Sequence, residues 1–163
     1  MTSLFAIGEL PDSTLKAKLL ANSRRVVFAA PSYFAKYGRP RSPEDPSHHE
    51  CIVRTAAHDG NAWPFQMNGR VETVKVAGRL RTNEALAVNE AAAQGLGIAN
   101  ATLWSVRSLV DRGAVEVVLT RFEPPPTGIH AVWAATRMLP ARTQLFVDFL
   151  AKRAALSDFH RGS

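Results

Sequence analysis

The sequence predicts an α/β protein with a mixed sheet, and three observations carry that prediction. Short apolar, often β-branched runs alternate with stretches whose apolar residues recur at helical spacing. Glycines stand where the helical stretches should stop, at Gly38, Gly95 and Gly113. Asn68-Gly69 separates two strand-like segments, as the turn of a tight hairpin does.

The elements follow in order. Leu4 to Ile7 reads as a buried strand, and Gly8 to Ser13 as a turn-rich loop. Leu15 to Leu20 and Arg25 to Ala30 are further strands. Pro31 suits the first position of a helix that runs to Tyr37 and is closed by Gly38. Pro40, Pro43 and Pro46 demand extended or turned backbone. Cys51 to Val53 is a short strand, Trp63 to Met67 and Val71 to Val76 form the hairpin, and Gly78 to Arg81 continues as strand towards Thr82. A helix spans Glu84 to Gln94, with Asn83 as its N-cap and Ala85, Val88 and Ala92 on one face. Gly95 ends it in a left-handed conformation. Strand Ile98 to Ala101, a helix near Leu103 to Asp111, and strand Val115 to Leu119 come next. Glu123 to Gly128 resembles a linker and leads into strand Ile129 to Ala134. Pro140 starts a last helix with an apolar stripe of Leu145, Phe146, Phe149 and Leu150, and with Arg142, Asp148 and Lys152 outside.

The chain has 163 residues, enough for one domain or two small lobes, with 46% hydrophobic and 21% charged residues. The net charge is +6 and the pI about 10.1. The basic residues are scattered, without a run or interleaved stacking aromatics, so the charge reads as a solvated surface and not as a DNA-reading face. Cys51 is the only cysteine, so no internal disulfide can form and a reducing compartment follows. The first residues lack the basic and apolar regions of a signal peptide, no run is long enough for a membrane span, and the expected location is the cytoplasm.

Enzyme chemistry finds little support. His48, His49 and Cys51 are the only cluster of metal-ligand types, and no further cysteine or histidine pair completes a site, so no metal is expected. Cys51 lies in an apolar strand that should raise its thiol pKa, and no nucleophile motif occurs. Gly95-Leu96-Gly97 follows a helix and precedes a strand, the wrong order for a dinucleotide fingerprint, so no cofactor is expected. The start of the helix after Thr82-Asn83 is a candidate anion or polar-ligand site. Its bland alternative is an ordinary helix-turn-strand unit.

Ile7 to Ser13, Ala29 to Phe34, Pro40 to Asp45 with His48 to Ile52, Thr82 to Leu86 with Gln94 to Ala99, and Gly128 to Trp133 with Pro140 to Leu150, taken in order, resemble five segments of the effector-binding domain of LysR-type transcriptional regulators. Ile7-Gly8-Glu9-Leu10-Pro11-Asp12-Ser13 resembles the family's R-I-G-x-L-x-D-S. Ala29-Ala30-Pro31-Ser32-Tyr33-Phe34 resembles its A-S-P-x-Y-L. Pro40 to Asp45, followed by His48 to Ile52, resembles P-x-x-P-x-D-L-x-x-H-x-C-L. Thr82 to Leu86 and Gln94 to Ala99 resemble x-N-D and A-G-L-G-I-A. Gly128 to Trp133 through Pro140 to Leu150 resembles the family's last strand and helix.

The resemblance implies a type II periplasmic-binding-protein-like fold, one lobe complete and the other partial. Residues 1–29 would belong to the partial first lobe, 30–128 to the second lobe, and 129–163 to the return into the first. No DNA-binding domain is expected here, and the chain would start inside the first lobe. A small organic anion would lie between the lobes against Gly8, Ser32, Thr82, Asn83 and Gly97. The module would form homo-oligomers and reach DNA only through a helix-turn-helix outside this chain. A free-standing solute-binding protein and a non-binding dimerisation partner remain as alternatives. Two positions depart from the pattern: Ala6 stands where arginine is common, and Asn100-Ala101 replaces a frequent Leu-Pro or similar pair.

Overall fold

The structure, a computed structural model, describes residues 4–7, 15–55, 60–134 and 140–156. The chain divides into two units, one formed by residues 1–24 and 126–163 and the other by 25–125. Both divisions fall a few residues before the sequence boundaries at Ala29 and Gly128. The reason for the first is pairing: Arg25 to Ala29 hydrogen-bonds to strands of the second unit along its whole length.

The first unit is a three-stranded antiparallel sheet with a helix. Strand β1 (Leu4–Ile7) pairs with β10 (Thr127–Ala134), which pairs in turn with β2 (Leu15–Ser23). A bulge shifts the β2–β10 register between Ile129 and His130. Helix α4 (Ala141–Leu156) packs on β2, and Lys18 forms a salt bridge with Asp148. The side turned inward carries Val147, which is buried, with Thr143, Leu150 and Ala151 partly covered around it. This corrects the expected stripe. Leu145 is 69% exposed and Phe146 and Phe149 are each 55% exposed, so three of its four residues face outward. Helical spacing finds an apolar face, but the Lys18–Asp148 tie and Val147 decide which face meets this sheet.

The second unit is built on β3 (Arg25–Ala29), flanked antiparallel by β8 (Ala99–Thr102) and β9 (Glu116–Val118). The parallel pair β4 (Val53–Arg54) and β7 (Arg81–Thr82) extends this sheet through a parallel bridge between Cys51 and Ile98. Both faces of β3 are covered, which is why Arg25 to Ala29 reads as a continuous apolar run without alternation. Val26 and Phe28 join Ile52, Ala99, Val88, Val106 and Leu109 in one core, beneath helices α2 (Ala85–Ala93) and α3 (Leu103–Asp111). Val27 and Ala29 face a second core with Cys51, Val53, Ile98, Trp63 and Phe65. Tyr33 and Phe34 of helix α1 (Pro31–Tyr37) complete it.

Local signals act as expected where they stay local. Asn68 (φ 51°) and Gly69 (φ 80°) form a primed turn between β5 (Ala62–Met67) and β6 (Arg70–Lys75). Gly95 (φ 76°) closes α2, donating to the Ala92 carbonyl at 3.0 Å while Leu96 donates to Ala91 at 3.1 Å. The segment from Gly78 is strand only at Arg81–Thr82. Gly78 instead crosses Cys51 so closely that an added Cβ would lie 1.6 Å from the Cys51 carbonyl oxygen.

Candidate functional site

Strands β4, β7 and β8 run parallel, and their carboxyl ends share one edge of the second unit's sheet. There β7 leads into α2 and β8 leads directly into α3. Ligands of open α/β sheets bind beyond the carboxyl ends of strands, where helix N-termini present their amides. Because β3 is antiparallel to β8, its first residue, Arg25, lies at this edge opposite Thr102. Thr55 donates its amide to the Thr82 carbonyl at 2.8 Å, closing the row.

Thr82 and Asn83 therefore stand at this edge, and Asn83 is exposed. The expected cap is corrected. Helix α2 starts one residue later, with Glu84 in extended backbone as N-cap and no side-chain cap bond. The Glu84 carbonyl receives the first helical bond, from Val88 at 3.2 Å. Thr82, not Asn83, serves the local backbone: its Oγ1 accepts the Glu84 amide at 3.2 Å. Asn83 is left without that structural duty. Helix α3 likewise has no side-chain cap bond, while Ser105 Oγ turns back to the Thr102 carbonyl at 2.8 Å.

Ser32 and Gly97 occupy the opposite end of the same sheet. Antiparallel pairing puts Phe28 beside Ala99, so the chain leaving β3 for α1 meets the turn that precedes β8. A Cβ on Gly95 would lie 3.0 Å from Ser32 Oγ. A Cβ on Gly97 would lie 2.6 Å from the Glu50 carbonyl, which accepts the neighbouring Ile98 amide at 2.9 Å. Strand-to-strand approach thus accounts for Gly97. The structure brings Thr82 and Asn83 together, and separately Ser32 and Gly97. Gly8 and His58 lie outside the described residues.

The histidine–cysteine segment is structural. Burial pushes the Cys51 thiol up to about 12, and its Sγ lies 3.2 Å from the Pro46 carbonyl. Tyr33 OH accepts the Glu50 amide at 3.2 Å and meets His49 Nδ1 at 3.2 Å. Burial raises the Tyr33 phenol and lowers the His49 imidazole, so the neutral pair is favoured. Hydrogen bonds from the Arg41 and Ser42 amides lower the Asp45 carboxyl, holding the proline-rich turn. Among the described residues, no three His, Cys, Asp or Glu side chains are grouped to hold a metal ion.

Asn100, on β8, is buried, and its Oδ1 accepts from Arg25 Nε at 2.5 Å. A polar residue between Ala99 and Ala101 in an apolar strand, at a departure from the family pattern, was the available signal.

Comparison with known proteins agrees with this architecture. The family model of the LysR substrate binding domain matches residues 4–155. An HTH-type transcriptional regulator of Xanthomonas campestris is 30% identical over 90% of this chain and 44% of its own length. The HTH-type transcriptional activator TtdR of Escherichia coli K12 is 31% identical over 88% of this chain and 46% of its own. The solved regulatory domain of CrgA, a LysR-type regulator from Neisseria meningitidis, superposes with a TM-score of 0.80 at 25% identity, covering 92% of this chain and 74% of that one. The chain spans about half the length of the curated relatives it matches. With α/β units of the periplasmic-binding-protein-like type and a family match along nearly its whole length, the chain belongs to the LysR substrate-binding domain family.

Proposed function

We propose that this chain is the effector-binding module of a LysR-type regulator of transcription, and that it takes a small organic anion at the carboxyl edge of the second unit's sheet. The observation carrying this reading is the placement of Thr82 and Asn83 where two helices begin without side-chain caps. Amides of a first helical turn need acceptors, and the partial positive charge there favours an anion. Thr82 orients the turn, while Asn83 offers an exposed amide to the ligand. Ser32 and Gly97, at the other end of the sheet, are not part of this site.

The role is binding, not catalysis. A ligand that prefers one arrangement of the module shifts the population towards it, and a regulator can transmit such a shift to DNA-binding domains carried elsewhere. Self-association belongs to the same proposal, supported by the outward apolar residues of α4.

Thermal-shift and calorimetric titration with carboxylates, comparing the wild type with Asn83→Ala, tests the site. Binding that weakens in the variant supports it. Equal binding in both removes Asn83 from the ligand contacts. Sedimentation at increasing concentration tests association, and a monomer at every concentration would refute that half.

A further inference from the structure

We infer that copies of this chain associate through unlike surfaces, the outward face of α4 in one copy packing across α2 in another. This rests on the self-association reading above and adds to it the surface that α4 meets. Leu145, Phe146 and Phe149 stand outward from α4 within about one helical turn. Basic residues flank them. Exposed Arg142 lies one turn before and exposed Lys152 and Arg153 one turn after, with the Arg153 guanidinium 5.9 Å from the Phe149 ring centre. The one acidic residue of α4 is Asp148, and Lys18 already holds it. The face is therefore apolar at its centre and positive at both ends.

Such a face is a poor partner for itself. Two antiparallel α4 helices would set Arg142 against Lys152 and Arg153, and two parallel ones would set each cation against its equivalent. The fitting surface is apolar with carboxylates beside it, and few carboxylates are uncommitted. Among the described residues, arginines pair with Glu50, Glu72, Asp111 and Glu116, backbone amides hold Asp45, and Glu123 is engaged as well. Glu44 sits in the proline-rich turn, where Pro43 and Pro46 are buried. Glu84 and Glu90 remain, both exposed and in no ion pair among the described residues, with Glu90 accepting from Gln94 Nε2 at 3.3 Å. They precede and follow Leu86, which at 78% is the most exposed large apolar side chain of the described residues. Leu86 and Glu90 share a face of α2 at i and i+4, Ala87 is exposed beside them, and α2 has no basic residue. Leu86 thus offers apolar contact to the phenyl rings of α4, while Glu84 and Glu90 meet the cations around them.

Sedimentation velocity compares the wild type with two charge-reversed chains: Arg142→Glu with Lys152→Glu and Arg153→Glu on α4, and Glu84→Lys with Glu90→Lys on α2. The wild type should associate as concentration rises, and each reversed chain alone should associate more weakly by about tenfold or more. An equimolar mixture of the two should recover association near that of the wild type, because each brings the complement of the other. Leu86→Ser, which alters no charge, should weaken association too. Raising sodium chloride from about 0.05 to 0.5 M should weaken the wild-type contact, since its charges are exposed. A wild type that is monomeric at every concentration removes the association itself. An α2-reversed chain that associates like the wild type overturns the unlike pairing and leaves self-association standing. A mixture that stays monomeric, or a Leu86→Ser chain that associates normally, takes α2 out of the contact. Should a reversed chain fail to fold, wild-type association that salt leaves unchanged or strengthens still overturns the proposal.

Discussion

The two units solve the burial problem differently. In the second, a sheet is covered on both faces, and residues as large as Phe28 and Phe65 are almost fully enclosed. In the first, three strands and one helix bury Ala131, Val132 and Val147, yet leave Leu145, Phe146 and Phe149 in solvent. The difference teaches that helical amphipathicity measures a capacity to be covered, and only a partner surface turns it into stability. The second unit covers both faces of its central strand, and its exposed apolar residues, such as Leu86, Leu96 and Tyr37, are spread over separate elements; among the described residues, the first leaves three large apolar side chains of one helix in solvent.

Mutations should break this contrast in order of enclosure. Gly78→Ala should be the most damaging, because its Cβ would overlap the Cys51 backbone oxygen and neither chain is a flexible side-chain end. We expect a loss of about 4 kcal/mol or more, read by urea unfolding. Phe28→Ala should lose about 3–5 kcal/mol, as core phenylalanine truncations do, whereas Phe149→Ala should stay within about 0.5 kcal/mol for the monomer. Alkylation of Cys51 separates the two: its buried thiol, pushed up to about 12, should react only when the second unit opens. Phe28→Ala should therefore speed labelling, and Phe149→Ala should not. Equal effects of the two substitutions on labelling would erase the contrast.

Gly95→Ala should cost about 1–2 kcal/mol through its left-handed backbone, with Ser32 Oγ close enough to have to move. Circular-dichroism melts read that loss, and an unchanged melting temperature would contradict the turn geometry. The smallest effect is the pH dependence of His49. Its folded pKa lies below the ordinary 6.5, so the unfolded chain binds the proton more readily. Its contribution to stability is complete above about pH 6.5 and is lost as pH falls towards the folded value. The difference between wild type and His49→Gln should accordingly shrink on acidification through this window, and a difference independent of pH would show that the Tyr33 contact does not depend on the neutral ring.

Much of the fold was legible because its determinants lie within a few residues. Pro31, Asn68-Gly69, Gly95 and Gly113 dictate backbone conformations that their own chemistry favours, and the five ordered motifs pointed to the family. The candidate site was only partly legible. Thr82 and Asn83 stand together because they are adjacent, but Ser32 looked equivalent to Asn83 as a residue near a helix start. Its strand runs antiparallel to β8, which sends α1 off the other end of the sheet. The cap was misplaced by one residue because spacing does not reveal which carbonyl takes the first helical bond.

Composition, periodicity and turn chemistry by themselves determined the α/β class, the order of elements and the places where helices stop, since these depend on interactions between near neighbours. Tertiary structure alone decided which helical face of α4 is covered, which end of the sheet Ser32, Thr82, Asn83 and Gly97 each reach, and which side chain Asn100 meets. Those outcomes depend on strand direction and on contacts between residues as far apart as Lys18 and Asp148 or Arg25 and Asn100. Such pairs leave no mark in local spacing, because only the closed sheet brings them within reach.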